Sequence, residues 1–553
     1  MTRQRRDSEF QNLPGCAAEF IRQVIRKMRY RRKVRRDVQA ELVSHFKDAL
    51  KDCTNDEDKK NKAQQVVSRF GDAKLLGVLL RRAKKRCRPV WKKVLVRSFQ
   101  VVGVIILYFL ICFGRFAIGT PTISVNYIDR LNQIVRGGRD EAENAMPYYD
   151  KAAELYVKCP KAIEKKFPGC SSTSCGAAGS WLTDFNDLEM RYLLEWLTDN
   201  QPAFEMLRQG AEKTFYWVIY RGDEAELMKS NMMQNAMEPL SDYMRVARAM
   251  TWQILYRAYS GDIEEALSDC IVLQEFGGHL QGKGLLIEQT VGVAIEARAH
   301  RAIFAILEKT DVPADALKNT QEQLQNEYAK LHNVINLEGE KVFWYDLVQR
   351  GFTDDGKGDG RVLRHGVPLV VKNTKSALMG FFLWTYPDRR EFMAIIERYF
   401  EQAGVLLGKT PWQLQVEGES QKWDEIGKEC IMLQILGPAH RRVGQLGWRT
   451  KTMRFGLLTV LALSRYEKDN GKYPEHLHAL VEPGYLKNLP IDPYSDKPLV
   501  YKKTEQSFML YSFGENLRDD GGEVFRDDDG RIERWADEGD WVFWPVPKSQ
   551  IKQ

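Results

Sequence analysis

The sequence predicts a multidomain, mainly α-helical protein with one transmembrane helix and a small α+β module near its C-terminal end. Three observations carry that prediction. A single run, Ser98 to Gly114, holds 17 residues without a charge and continues in apolar character to Ile118. Apolar residues recur at three- and four-residue spacing through most of the remainder, the helical period. Charge is divided unevenly: residues 1 to 98 contain 28 Lys+Arg against 11 Asp+Glu, whereas the rest of the chain is net acidic within an overall charge of +7. At 553 residues there is length for about three domains. The expected divisions are 1–97, a basic cytoplasmic helical bundle; 98–118, the transmembrane helix; 119–450, an extracytoplasmic α-helical domain; and 451–553, the α+β module.

Taken in order, the basic bundle comes first. Phe20, Ile21, Val24, Ile25 and Met28 form one stripe, and Val34, Val38, Leu42, Phe46 and Leu50 recur every four residues on a second helix. Ala63, Val66, Val67 and Phe70 mark a third, stopped by Gly71, and Asp72 is a natural N-cap for a fourth that contains Leu75, Leu76, Leu79 and Leu80. The order Val38-Gln-Ala-Glu41-Leu42-Val-Ser-His45-Phe-Lys-Asp48, then Ala63, Val66, Phe70-Gly71-Asp72 and a leucine pair, resembles the HAAS-type helical domain over about 60 residues. That resemblance implies a bacterial protein and a sensing or regulatory module ahead of a membrane segment. His45 is a candidate switch on the same grounds, although a histidine between apolar helix positions is more often a hydrogen-bonded structural residue.

Running on to Ile118, the apolar stretch gives roughly 30 Å of helix, about one hydrocarbon thickness. Arg115 lies near one end, where it can snorkel to the headgroups. Arg81, Arg82, Lys84, Lys85, Arg86, Arg88, Lys92, Lys93 and Arg97 crowd the N-terminal flank. The positive-inside rule therefore places the N-terminus in the cytoplasm and the chain from about residue 119 outside a cytoplasmic (inner) membrane. The expected partners are the lipid bilayer, with anionic lipid at the basic flank, and a protein of the cell envelope. Nucleic acid is disfavoured, because the charge is densest beside the membrane helix and no nucleic-acid motif accompanies it. An apolar run that starts nearly 100 residues in does not read as a cleavable signal peptide.

The nine cysteines divide with this topology. Cys16, Cys53 and Cys87 fall in the reducing compartment and Cys112 in the membrane, leaving Cys159, Cys170, Cys175, Cys270 and Cys430 outside, an odd number. A local disulfide between Cys170 and Cys175 is an open alternative; zinc is disfavoured, since their loop offers two sulfurs and no histidine.

In the large middle region helices are expected at Glu141 to Val157, Trp181 to Thr198, Pro202 to Tyr220, Met244 to Tyr259, Ile263 to Phe276, Ile287 to Leu307 and Ala314 to Leu337. Ala249 to Gln274, with its turn at Gly261-Asp262 and with Ala266, resembles a tetratricopeptide helix-turn-helix, although Gln253 and Arg257 occupy positions that pattern keeps apolar or aromatic. The expected architecture is irregular and solenoid-like, of a size to hold a partner. Phe343-Trp344-Tyr345 reads as core rather than as a ligand groove. Thr353 to Val362 looks like a calcium loop with Asp355 at its first position, but Lys357 and Gly366 stand where ligands belong, which favours an exposed turn. There is no G-x-S-x-G, P-loop or H-E-x-x-H, and His279, His300, His332, His365 and His440 show no metal-ligand spacing, so the sequence leans away from an enzyme.

The last hundred residues begin with a helix bearing Phe455, Leu458, Leu461, Ala462 and Tyr466, ending at Asn470-Gly471 before Tyr473-Pro474. A short helical piece near Leu477 to Val481 precedes two strands, Leu499 to Lys503 and Ser507 to Ser512, turned by Thr504 to Gln506 into an antiparallel hairpin. The run Leu463-Ser-Arg465-Tyr466 through Asn470-Gly471-Lys-Tyr473-Pro474, with Asp492-Pro493-Tyr494 and Leu510-Tyr511-Ser512-Phe513-Gly514, resembles the soluble domain of the type II secretion major pseudopilin over about 75 residues. The resemblance implies a helix on a small sheet and a C-terminal calcium loop. Ser512, Gly514, Asn516, Asp519, Asp520, Gly521 and Gly522 follow that loop approximately, with Asn516 in place of an aspartate and Leu517 in place of a glycine. Calcium is thus the one cofactor expected, with Asn516, Asp519, Asp520, Asp537 and Asp540 as its candidate ligands. About 330 residues separate the membrane helix from this module, unlike a pseudopilin. The expected function is a membrane-anchored envelope scaffold or binding protein with a cytoplasmic regulatory bundle; the alternatives are an envelope hydrolase with an unrecognised site and an accessory component of a type II secretion-like system.

Overall fold

The computed structural model describes residues 10–86, 90–166, 182, 185–222, 231–331, 335–353, 360–363, 387–426, 431–528, 530, 532 and 536–548. The chain is mainly helical and divides into two units, Met1–Ile111 and Cys112–Gln553. The loop carrying Cys170 and Cys175, Cys430, and the acidic part of the 354–366 segment lie outside the described residues.

In the first unit, helices α1 (Gly15–Met28), α2 (Arg32–Ala49), α3 (Asp56–Phe70) and α4 (Ala73–Arg86) form the expected bundle. Each has one apolar face, and those faces meet in a core of Phe20, Ile21, Val24, Met28, Val38, Leu42, Phe46, Ala63 and Val66. Phe46 and Phe70 lie 5.8 Å apart, and Phe20 stacks on Phe70 at 6.0 Å. Asp72 caps α4 by accepting from the Lys74 amide at 2.8 Å. Gly77 lets α4 approach α1, since a Cβ there would lie 2.8 Å from the Val24 carbonyl. Only half of the leucine set on α4 is used: Leu76 and Leu80 pack inward, whereas Leu75 and Leu79 are exposed. His45 is exposed and sets its ring edge against Phe70 at 5.2 Å. Helix α5 (Val90–Ile118) carries the apolar run, and none of its Val94–Ile111 window is buried.

The second unit contains α6 (Tyr127–Arg136), α7 (Met146–Leu155), α8 (Lys161–Lys166), α9 (Asp187–Asp199), α10 (Gln201–Ala211), α11 (Met232–Ser260), α12 (Ile263–Leu280), α13 (Leu286–Lys309), α14 (Ala314–Lys330) and α15 (Glu338–Gly351). These are followed by α16 (Arg389–Gly408), α17 (Pro411–Val416), α18 (Lys422–Ile426) and α19 (Ile431–Asn470). Successive helices α11, α12 and α13 pack against one another, with Gly261 in the left-handed conformation at the α11–α12 turn. The two polar departures from the tetratricopeptide pattern are both bonded. Gln253 accepts from Gln201 at 3.2 Å, and Arg257 donates to the buried Asp269 carboxylate at 2.7 Å, which Arg208 holds from the other side at 2.9 Å.

Several expected helices are shorter than their spacing implied: α7 begins at Met146 rather than at Glu141, α9 begins at Asp187 rather than at Trp181, and α14 ends at Lys330 rather than at Leu337. α10 stops at Ala211, and Phe215 to Tyr220 run extended as a buried strap. Aromatic and β-branched residues dominate that segment and fit an extended backbone better than a helix. Asn144 fixes it, its side chain donating to the Trp217 carbonyl and accepting from the Trp217 amide, both at 3.0 Å.

At the C-terminal end the expected hairpin is present as β3 (Val500–Lys503) and β4 (Phe508–Ser512), antiparallel with Val500 opposite Tyr511. It gains a third strand, β5 (Trp541–Trp544), antiparallel to β4, and a two-residue pair of β1 (Ile491–Asp492) with β2 (Lys497–Pro498) precedes it. The division expected between residues 450 and 451 falls inside α19, and one hydrophobic core runs from Tyr127 to Phe543 across it. Helix α19 packs on α13 and α14 as well as on β4 and β5, so the sheet is part of the larger body.

Candidate functional site

A cleft of about 680 Å³ opens in the second unit, within the size range of small-ligand sites. Its floor is one face of α12, where Gln274, Glu275, Gly278 and His279 follow at helical spacing, continued by Gly282 just past the helix end. The last turn of α14 contributes Glu327 and Lys330, the aromatic strap contributes Phe215 and Tyr216, and Arg139 comes from the segment after α6. The floor is steady because α12 and α13 cross at glycines: a Cβ on Gly292 would lie 2.5 Å from the Gly277 carbonyl.

Burial shifts three titratable groups in the cleft, Glu275, His279 and Tyr216. Burial, followed by the charge of Glu327, pushes the Glu275 carboxyl up to about 7, against the opposing pull of Lys330. Lys330 binds Glu327 at 2.5 Å, and Glu275, raised by its burial, is the carboxyl that keeps a proton and donates it in the hydrogen bond to Glu327. Burial lowers His279 to about 4. Its Nε2–H donates to the Lys213 carbonyl at 3.0 Å, which leaves Nδ1 to accept from the Tyr149 hydroxyl at 2.6 Å. A neutral imidazole with both nitrogens engaged positions the strap and does not act as a base.

Gln274 is different. It is fully buried, and neither its Nε2 nor its Oε1 has a hydrogen-bond partner among the described residues. Beside the cleft, Arg454 of α19 makes a bidentate pair with Glu296 of α13 at 2.6 and 2.7 Å and reaches Gln281 at 2.9 Å. Burial alone would raise Glu296; the Arg454 charge and hydrogen bonds win and hold it at about 2.

The residues expected to bind calcium are only partly gathered. Asp519 accepts from the Tyr511 hydroxyl at 2.8 Å and the Gly521 amide at 3.0 Å, and Asp520 accepts from Asn516 at 2.6 Å. Asp537 turns away to Arg449 at 3.4 Å. Asp540 is buried, its Oδ2 accepting from the Gly522 amide at 2.6 Å and its Oδ1 without a partner. Burial, with the charges of Asp520 and Asp519, pushes it up to about 6. Among the described residues no three His, Cys, Asp or Glu side chains are placed to hold a metal ion. As the side chains stand, these carboxylates are divided among separate partners.

No protein family, curated protein or solved structure matches the chain. The cleft therefore rests on its own geometry. Sequence reasoning missed Gln274, Glu275, Glu327 and Lys330 and left His279 among scattered histidines. The available signal was the polar set Gln274, Glu275 and His279 inside the otherwise apolar Cys270–Leu280 half of α12.

Proposed function

We propose that this is a single-pass membrane protein of the cell envelope that binds a partner or ligand outside the membrane and carries a regulatory helical bundle on the cytoplasmic side. The observation that carries the reading is α5. Its Val94–Ile111 window has a mean hydropathy of 2.3 and no buried share, with Phe99 and Val104 each more than two-thirds exposed. An uncovered apolar surface of that length is untenable in water and fits a hydrocarbon layer. The excess of basic over acidic residues ahead of it supports an inward-facing N-terminus. Extraction of membranes with alkaline carbonate tests the anchor: the protein is expected to stay in the pellet, and release into the supernatant refutes it.

Calcium belongs to the same proposal as a ligand that would draw Asp519, Asp520 and Asp540 together around the unpartnered Oδ1. Millimolar calcium is expected to raise the Tm of the purified protein, and Asp540→Asn to abolish the rise; an unchanged Tm removes the ion from the reading.

A second reading, an envelope hydrolase, is favoured by one observation: a carboxyl group with a value near 7, Glu275, stands beside a second carboxyl group, Glu327, in an open cleft. Glu275→Gln would then abolish turnover of a substrate that the wild-type protein hydrolyses.

A further inference from the structure

From the cleft on α12 we infer the chemical class of its ligand: a small monoanion that carries an amide beside a carboxylate, as in an N-acylated amino acid or the free C-terminus of a short peptide. The inference rests on reading this cleft as the ligand site, and it is independent of the membrane topology.

The first support is the Gln274 carboxamide. A buried donor and a buried acceptor left unmade together cost more than most single interactions in a fold return. Gln274 lines the cleft, and turning its side chain toward the opening presents both atoms to an incoming group. A carboxamide offers an N–H and a C=O side by side, and its complement is a second amide, which accepts from Nε2 and donates to Oε1 in one plane. Groups offering only acceptors, such as a sulfate or a simple carboxylate, would leave Oε1 unpaired.

Charge supplies the second support. Of the three cations that line the cleft, Lys330 is taken by Glu327 and Lys283 by Glu338 at 3.0 Å. Arg139 faces no carboxylate among the described residues, and its guanidinium stacks on Phe215 at 5.2 Å. One unneutralised guanidinium on a flat aromatic wall suits a planar carboxylate in bidentate contact. With Glu327 already paired to Lys330, Arg139 is left as a single cationic partner, which matches a monoanion and undercompensates a phosphate dianion, and this sets nucleotides aside.

The test uses the purified full chain in detergent micelles, with N-acetyl-alanyl-alanine as the probe, its C-terminal amide as the uncharged control and adenosine monophosphate as the competing class. The acid is expected to bind at least about tenfold more tightly than the amide. Arg139→Gln is expected to erase that preference. Gln274→Leu replaces the unpaired carboxamide with an apolar group of similar size; it is expected to raise the Tm and at the same time to weaken the probe at least about tenfold. A structural role for Gln274 would instead lower the Tm and leave affinity unchanged. Equal binding of acid and amide, no binding of either at millimolar concentration, or preference for the nucleotide overturns the inference. Because binding is read on extracted protein, failure here leaves the carbonate result standing, and failure there leaves this one.

Discussion

At the scale of single residues, the fold leans on charges that water cannot reach. Arg454 and Glu296 join α19 to α13 through two parallel hydrogen bonds in a buried setting. Arg454→Met strands the Glu296 carboxylate and is expected to cost about 3–5 kcal/mol in chemical denaturation. Arg454→Met combined with Glu296→Leu should recover much of that loss, because no buried charge is left alone. Glu275 gives a pH signature with a fixed sign. Its folded-state value of about 7 lies above the ordinary one, so its contribution to stability is fully present below about 4.5 and is lost as the pH rises through 7. The groups that face it are Glu327 and Lys330 on α14, Glu212 after α10, and His279 on its own helix. Glu275→Gln does not titrate, so its Tm relative to wild type is expected to increase between pH 5 and pH 8; a constant difference would contradict the assignment. None of these residues was legible beforehand. Arg454 and Glu296 are 158 positions apart, and neither carries a local pattern that names its partner.

Elements were far easier to read. Periodicity located α1 to α4 and the hairpin of β3 and β4 because each buries one face at a regular spacing. The end of α10 was misplaced because the Phe215 to Tyr220 run satisfies an apolar count whichever backbone it adopts; what decides it is the side-chain bond from Asn144, a contact across 73 positions. Strand β5 was missed although Trp541-Val-Phe-Trp544 is aromatic-rich and bounded by Gly539 and Pro545, because two intervening acidic turns disguise its pairing with β4. The α12–α13 crossing is the element-level feature with the sharpest prediction. Gly292→Ala places a methyl group against the Gly277 carbonyl and is expected to destabilise the protein by about 1–3 kcal/mol by thermal or chemical unfolding. A neutral outcome would mean that the helices are farther apart than described.

For the whole molecule, the two units have separate cores, one built from Ala17 to Ala73 and the other from Tyr127 to Phe543. A fragment of residues 10–86 is therefore expected to resist limited proteolysis, whereas a fragment of residues 451–553 is expected to be degraded, since it loses the α13 and α14 surfaces that cover its helix. Composition announced the charge asymmetry and the apolar run of α5, both local properties, but gave no hint that the C-terminal sheet shares the core of the helical body. The topology on which the functional proposal stands can be read from one experiment: a dual phosphatase and fluorescent-protein reporter fused after Gln553. Phosphatase activity with a dark fluorophore is the predicted result, and a bright fluorophore without phosphatase activity would contradict the account.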